Sequence, residues 1–464
     1  MKAMGKKRHS RCKPQGAAVT LLLVSTLLLL FAALMAIGGC NANKTKSARN
    51  ARGTGNASDA EADITPPIPM LDEEALAKLQ QDLPQFHRGR AVGNCPQAPV
   101  VLKTIDLNPY GNKEEEVTVP AVCSDQAILL SNRRDELWIL DATSDQATCL
   151  EDVASPHLPP VVSLLRDHTV LVSGKRSMYC IDLSKKLLLW EHPIPEVGDW
   201  SDIQNLSRPV SDGEYIYFSL SDTKEIYRLT LAGQVESLRE TQALTWPMFG
   251  SIGADGTYYF GDQSGRLYAL SRESSTVWSL LLSRGSQRNG QSAPPFESPP
   301  CIGYDDSIYQ LTNDGVIALR CDGNLSWRYE PDGASSYHDE LHLTSTGYLL
   351  FVGKVRDEKL GFIQHIFCVD PRGHECWRTR LDFNAGIALL SADDVLVVGS
   401  LSSYGRLILG ETVAAFNTDG KELWRIKPGG DWLIPVGITD TATLYVLDFG
   451  YWTRCKLHVL GDEE

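Results

Sequence analysis

One phrase returns eight times along this chain, and that return limits the fold more than any other feature. It is a short apolar strand closed by a small or polar residue, then a turn and often a Trp. The copies read LWILD (137–141), MYCID (178–182), IYRLT (226–230), LYALS (267–271), VIALR (316–320), IFCVD (366–370), VAAFN (413–417) and LHVLG (457–461). Their last positions step by 41, 48, 41, 49, 50, 47 and 44 residues. A second phrase, a polar Asp/Gly turn and then an apolar run, precedes them, as in SDGEYIYF (211–218), ADGTYYF (254–260) and YDDSIYQL (304–311). Runs this short, rich in β-branched and aromatic residues and bounded by turn residues, are strands. Helical repeats would need a 3.6-residue apolar period, and it is missing.

Asp322-Gly323 and Asp419-Gly420 fall in the last tight turn before a Trp. Each unit is therefore expected to be a four-stranded antiparallel meander, and about 45 residues is the period of a β-propeller blade. The fold class predicted is all-β, a propeller of eight four-stranded blades over 98–464. Seven blades with a flanking strand pair is the alternative, because the third copy, around LAGQVESL, is the weakest. The last unit, LHVLGDEE, lacks its Trp strand, and APVVLKTIDL (98–107) lies spare before the first unit. That segment is expected to supply the missing outer strand and remove two open sheet edges. The composition agrees: 38 Gly, 24 Pro and 38 aromatic residues, with only six Met, make many turns.

The N-terminus is an address. Residues 1–16 are basic and polar, residues 17–37 are almost wholly apolar, and Gly38-Gly39-Cys40 follows. This is the order of an export signal, and Ile37-Gly38-Gly39-Cys40 resembles a lipobox, which implies acylation at Cys40. The rival reading is a single-pass inner-membrane anchor, since 21 apolar residues span a bilayer of about 30 Å. Both readings place the rest outside the cytoplasmic membrane, and Asn41 after the Cys favours the outer membrane. Residues 41–97 read as a flexible linker, with a short helix over 72–83 capped by Asp72 and stopped by Pro84. Beyond residue 40 the chain holds 38 basic against 58 acidic residues, a formal −20. Such a body repels phosphate backbones and excludes nucleic acid as a partner.

The copies LYALSRESSTVW, VIALRCDGNLSW, IFCVDPRGHECW and VAAFNTDGKELW resemble the PQQ-like β-propeller repeat over about 98–464. Joined to a lipobox, the chain is similar to the BamB-type lipoproteins of the outer-membrane barrel-assembly machine. The resemblance implies a non-enzymatic scaffold that binds protein at a membrane. WD-repeat propellers fit less well, because the Trp is followed by Arg328, Arg378, Arg425, Glu191 or Ser279 and never by Asp. The Trp is expected to fill the gap between neighbouring blades. Other PQQ-repeat proteins are dehydrogenases holding PQQ and calcium, and their vicinal Cys pair has no counterpart here. No cofactor is predicted. A PQQ- or metal-dependent periplasmic oxidoreductase using the channel is the alternative function.

Four sets of residues are candidates for chemistry or recognition. Aromatics in the connections, Trp200, Trp246, Tyr337, Trp432 and Trp452, form the expected binding face, since Trp and Tyr dominate binding hot spots. Acidic neighbours Asp199, Asp339, Glu340 and Asp431 would favour a basic partner. His338, Glu340 and His342 share a face if they lie on one strand, a weak metal-binding set. Cys368 and Cys376 flank one turn and are a possible disulfide in an oxidising compartment, or else free thiols.

Overall fold

The computed structural model describes residues 91–107 (without 92), 121–131, 136–151, 153, 162–166, 169–173, 177–193, 209–219, 225–240, 250–282 (without 263 and 274), 287–288, 291–292, 296, 298–337 (without 333), 340–357, 361–401, 411–449 (without 431) and 455–463. By its contacts the chain divides into Met1–Pro67 and Ile68–Glu464, and the described residues all belong to the second unit. They are strands and turns, with no helix among them. The short helix expected over 72–83, the apolar run 17–37 and Cys40 lie outside the described residues.

The strands make eight antiparallel blades arranged in a ring. Blade one is Ala121–Ser124, Ala127–Ser131, Leu137–Asp141 and Gln146–Cys149. Blade two is Val162–Arg166, Thr169–Ser173, Ser177–Asp182 and Leu187–Pro193. Blade three is Val210–Ser211, Tyr215–Ser219, Glu225–Thr230 and Val235–Glu240, so the weakest sequence copy is a complete blade. Blade four is Ser251–Ile252, Tyr258–Gly261, Arg266–Leu270 and Thr276–Leu281. Blade five is Cys301–Ile302, Ile308–Thr312, Gly315–Leu319 and Leu325–Tyr329. Blade six has a split first strand, Ala334–Tyr337 and His342–Leu343, beside Leu349–Asp357, Gly361–Val369 and Glu375–Arg380. Blade seven is Ala385–Leu390, Leu396–Ser400, Val413–Phe416 and Glu422–Ile426.

Blade eight takes Leu433–Ile438, Leu444–Phe449 and Cys455–Gly461 from the C-terminal end, and Val100–Asp106 as its outer strand. Val100 pairs with Gly461 and Asp106 with Lys456. The spare segment thus closes the ring. The chain just before it is packed as well, so the expected linker over 41–97 gives way to built structure from Ala91. The Ala91 amide donates to Leu390 O (2.5 Å), and the Cys95 amide donates to Asp393 Oδ1 (2.8 Å). Burial pushes the Cys95 thiol up to about 12, with the Asp393 carboxylate adding to the effect. It therefore stays a thiol at neutral pH.

First strands of neighbouring blades approach one another, so the first strand of each blade is the inner one. The middle strands are buried on both faces, as in Ala127–Ser131, Ile308–Thr312 and Leu396–Ser400. Each blade is sandwiched between two others, which is why the sequence shows continuous apolar runs there. The outer strands alternate instead, as in Leu187–Pro193 and Glu375–Arg380. Eight apolar layers fill the junctions among the described residues. One joins blade eight to blade one through Tyr445, Leu447 and Leu457 against Ile128, Leu130 and Leu140. Full burial of one such Leu or Ile side chain is worth about 1.5–3 kcal/mol.

Candidate functional site

The Trp residues do what their position predicts, and the geometry repeats around the ring. Each indole N–H donates to the first residue of the tight turn in the next blade. Trp190 donates to Leu231 O, Trp278 to Cys321 O, Trp327 to Pro371 O and Trp377 to Thr418 O, all at 2.8 Å. The ring face lies against the Gly of that turn, Gly233, Gly323, Gly373 and Gly420 in the same order. These glycines have φ between 74° and 88°, a left-handed geometry that L side chains avoid.

The outer strands of blades one and three carry no Trp, and at the closing seam two substitutes extend the series. Trp424 donates to Pro96 O (2.7 Å), so the N-terminal segment stands in for a turn. Lys103 of the closing strand takes the place of a Trp, its Nζ donating to Ala142 O (3.0 Å) and pairing with Asp145. Asp125 adds a latch between blades one and eight, accepting from Thr439 Oγ1 and Tyr445 Oη, each at 2.8 Å. Nothing in the sequence pattern marks Lys103, Pro96 or Asp125, because each acts through a contact more than 35 residues away or across the seam.

The predicted recognition residues divide differently. Trp200, Trp246, Trp452 and His338 lie outside the described residues, as do Asp199, Asp339 and Asp431. Tyr337 was expected in a connection, but it ends the strand Ala334–Tyr337 and pairs with Gly353. Trp432 is half-buried and bridges Leu401 of the neighbouring blade. The structure thus gives Trp432 a backbone bridge to the neighbouring blade, and it does not describe the five aromatics as a cluster. His342 is buried, and Glu340 is half-buried and outside any strand. Pairing steps from Tyr337↔Gly353 to His342↔Leu350, so five residues on one strand match three on the other. Glu340 lies outside any strand, so Glu340 and His342 do not share a strand face, and His338 lies outside the described residues. Among the described residues no group of three His, Cys, Asp or Glu side chains is placed to hold a metal ion.

Two further places gather polar side chains. Beside the connection before blade eight, Asp448 and His458 are both buried. Thr104 Oγ1 lies 3.0 Å from His458 Nδ1, while His458 Nε2 is 3.8 Å from Asp448 Oδ2. A gap of 3.8 Å is beyond hydrogen-bond reach, so the imidazole and the carboxylate interact only electrostatically. On the opposite, tight-turn face, an open groove of 480 Å³ is lined by Asp255, Tyr259, Arg272, Glu273, Cys321 and Asp322, among others. Its charged groups mostly serve the turns. Asp255 accepts from Thr257, Asp322 from Asn324, and Arg272 pairs with Asp212 (3.1 Å) and Glu214 (3.2 Å).

No protein-family model matches the sequence, and no curated protein matches it. Solved structures do match. BamB from Moraxella catarrhalis superposes with a TM-score of 0.51 at 12% identity, covering 79% of this chain and 98% of that chain. A virginiamycin B lyase from Staphylococcus aureus, solved with quinupristin, gives 0.44 at 11% identity, over 75% and 100%. Hydrazine synthase from Kuenenia stuttgartiensis gives 0.43 at 12% identity, over 63% and 92%. Eight blades, a strand exchanged between the chain's two ends and this superposition make the chain an eight-bladed β-propeller with the fold of BamB.

Proposed function

We propose that this chain is a non-enzymatic, protein-binding scaffold held outside the cytoplasmic membrane through Cys40, acting in outer-membrane protein assembly. The observation that carries the reading is the combination of an apolar N-terminal run ending in Gly38-Gly39-Cys40 with a closed ring of eight blades whose described residues include no group of three His, Cys, Asp or Glu placed to hold a metal ion. A rigid ring presents its connecting loops at fixed spacing, and loops on a rigid scaffold are where recognition sits. The shared fold with BamB supports the same reading.

The test has three arms. Mass spectrometry of the mature N-terminus is expected to find acylated Cys40; an intact Met1 with unmodified Cys40 would replace the lipid with an anchor. Affinity capture from membranes with the tethered protein is expected to recover outer-membrane assembly proteins. Tight binding of PQQ with calcium by the purified body, accompanied by alcohol oxidation, would defeat the scaffold reading in favour of an oxidoreductase.

A further inference from the structure

The outer two strands of six blades share one irregularity. The outer strand has one extra residue, unpaired in the ladder, just before its Trp in five blades and before Ser237 in blade three: Leu189, Glu236, Val277, Ser326, Cys376 and Leu423. The third-strand residue before the step is Cys180, Arg228, Ala269, Ala318, Cys368 and Ala415 in the same order. Six copies of one backbone geometry show what this pair of positions can do. In blade three the two side chains meet across the bulge, where Arg228 Nη2 lies 3.3 Å from Glu236 Oε2. In blade six the same positions hold Cys368 and Cys376: Cys368 pairs with Trp377, and Cys376 is the extra residue directly before it, so the two thiols stand across one bulge of adjacent strands.

We propose that Cys368 and Cys376 form a reversible disulfide across the blade-six bulge, a redox-modification site independent of the scaffold reading. Both are free thiols in the present state. Cys376 is exposed and Cys368 buried, so the order of attack on a small-molecule disulfide oxidant follows. The Cys376 thiolate attacks one sulfur of glutathione disulfide and expels one glutathione thiolate. Cys368 then loses its proton and attacks the Cys376 sulfur, expelling the second glutathione thiolate. One protein S–S bond forms, the oxidant's S–S bond is reduced, and the two protons end on the two glutathione thiols. Burial holds both thiols above their ordinary values, with Cys376 adding to the effect at Cys368 and Asp370 at Cys376. Oxidation is therefore slow at neutral pH and accelerates as pH rises.

The bridge would close the turn that seats Trp327, whose indole rests on Gly373 and donates to Pro371 O. The modification would thus tie down the socket between blades five and six.

The experiment oxidises the full-length protein with glutathione disulfide, blocks free thiols and digests with trypsin without reductant. Cleavage after Lys359, Arg372 and Arg378 separates residues 360–372 from 373–378. The expected product is these two peptides linked, minus two hydrogens, and parted by dithiothreitol. Cys180, faced by Leu189 at the equivalent bulge, serves as the control that stays free. Oxidation should also raise the melting midpoint by roughly 3 °C in the parent and not in Cys376→Ser. Recovery of 373–378 with Cys376 alkylated, carrying only glutathione, or linked to another cysteine would overturn the proposal, as would an equal melting shift in both proteins.

Discussion

Gly420 and Gly361 separate two costs that are usually confounded. Both sit in the left-handed region, at φ 74° and 83°. A Cβ on Gly420 would lie 2.6 Å from Trp377 Cε3, whereas a Cβ on Gly361 meets nothing within 4 Å. Gly361→Ala is expected to cost about 1–2 kcal/mol, the backbone term alone. Gly420→Ala adds displacement of an indole from its socket, and should exceed the Gly361 value by about 1 kcal/mol or more. Equilibrium urea unfolding of the two variants measures the difference; equal losses would mean that the Trp socket carries no strain. The sequence made these Trp positions legible because the blade period fixes them. It did not reveal the bulge one residue earlier, since the extra position tolerates Leu, Glu, Val, Ser and Cys alike.

Among the elements, the strand Val100–Asp106 has the largest effect for its length. It pairs with Cys455–Gly461 along its whole run, seats Lys103 against blade one, and follows the Pro96 carbonyl that accepts from Trp424. A chain starting at residue 108 would leave the Cys455–Gly461 edge unpaired, and exposed edges recruit other chains. Such a chain is expected to run as oligomers or aggregates in sedimentation velocity, while one starting at residue 88 stays monodisperse; identical behaviour would make closure by this strand dispensable. The exchange was readable from a unit lacking its outer strand. The packing of Ala91 and Cys95 was not, because a few small residues among polar ones carry no strand period. The split first strand of blade six misled for the opposite reason. A polar run containing His338, Glu340 and His342 looks like a strand with alternating ligands, and only the pairing partners show where it breaks.

At the scale of the whole molecule, the formal −20 beyond residue 40 sets how the ring meets a partner. Opposite charges speed encounter and are screened over about 10 Å at 0.1 M salt. Capture of the proposed partner is expected to slow several-fold between 50 and 300 mM salt, mainly in the association rate, as surface plasmon resonance would show. A salt-independent association rate would assign recognition to the apolar loop residues alone. The ring's closure also has a consequence in time. Thr104 and His458 touch across 354 residues of chain. Synthesis at 5–20 residues per second puts roughly 20–70 s between the appearance of the two strands. Through that interval the first strand waits with an open edge, and the seven blades formed before its partner arrives cannot be sealed. The protein is thus most exposed to mispairing while it is being synthesised, and a holding chaperone at that stage would matter more to its yield than any gain in the stability of the finished ring.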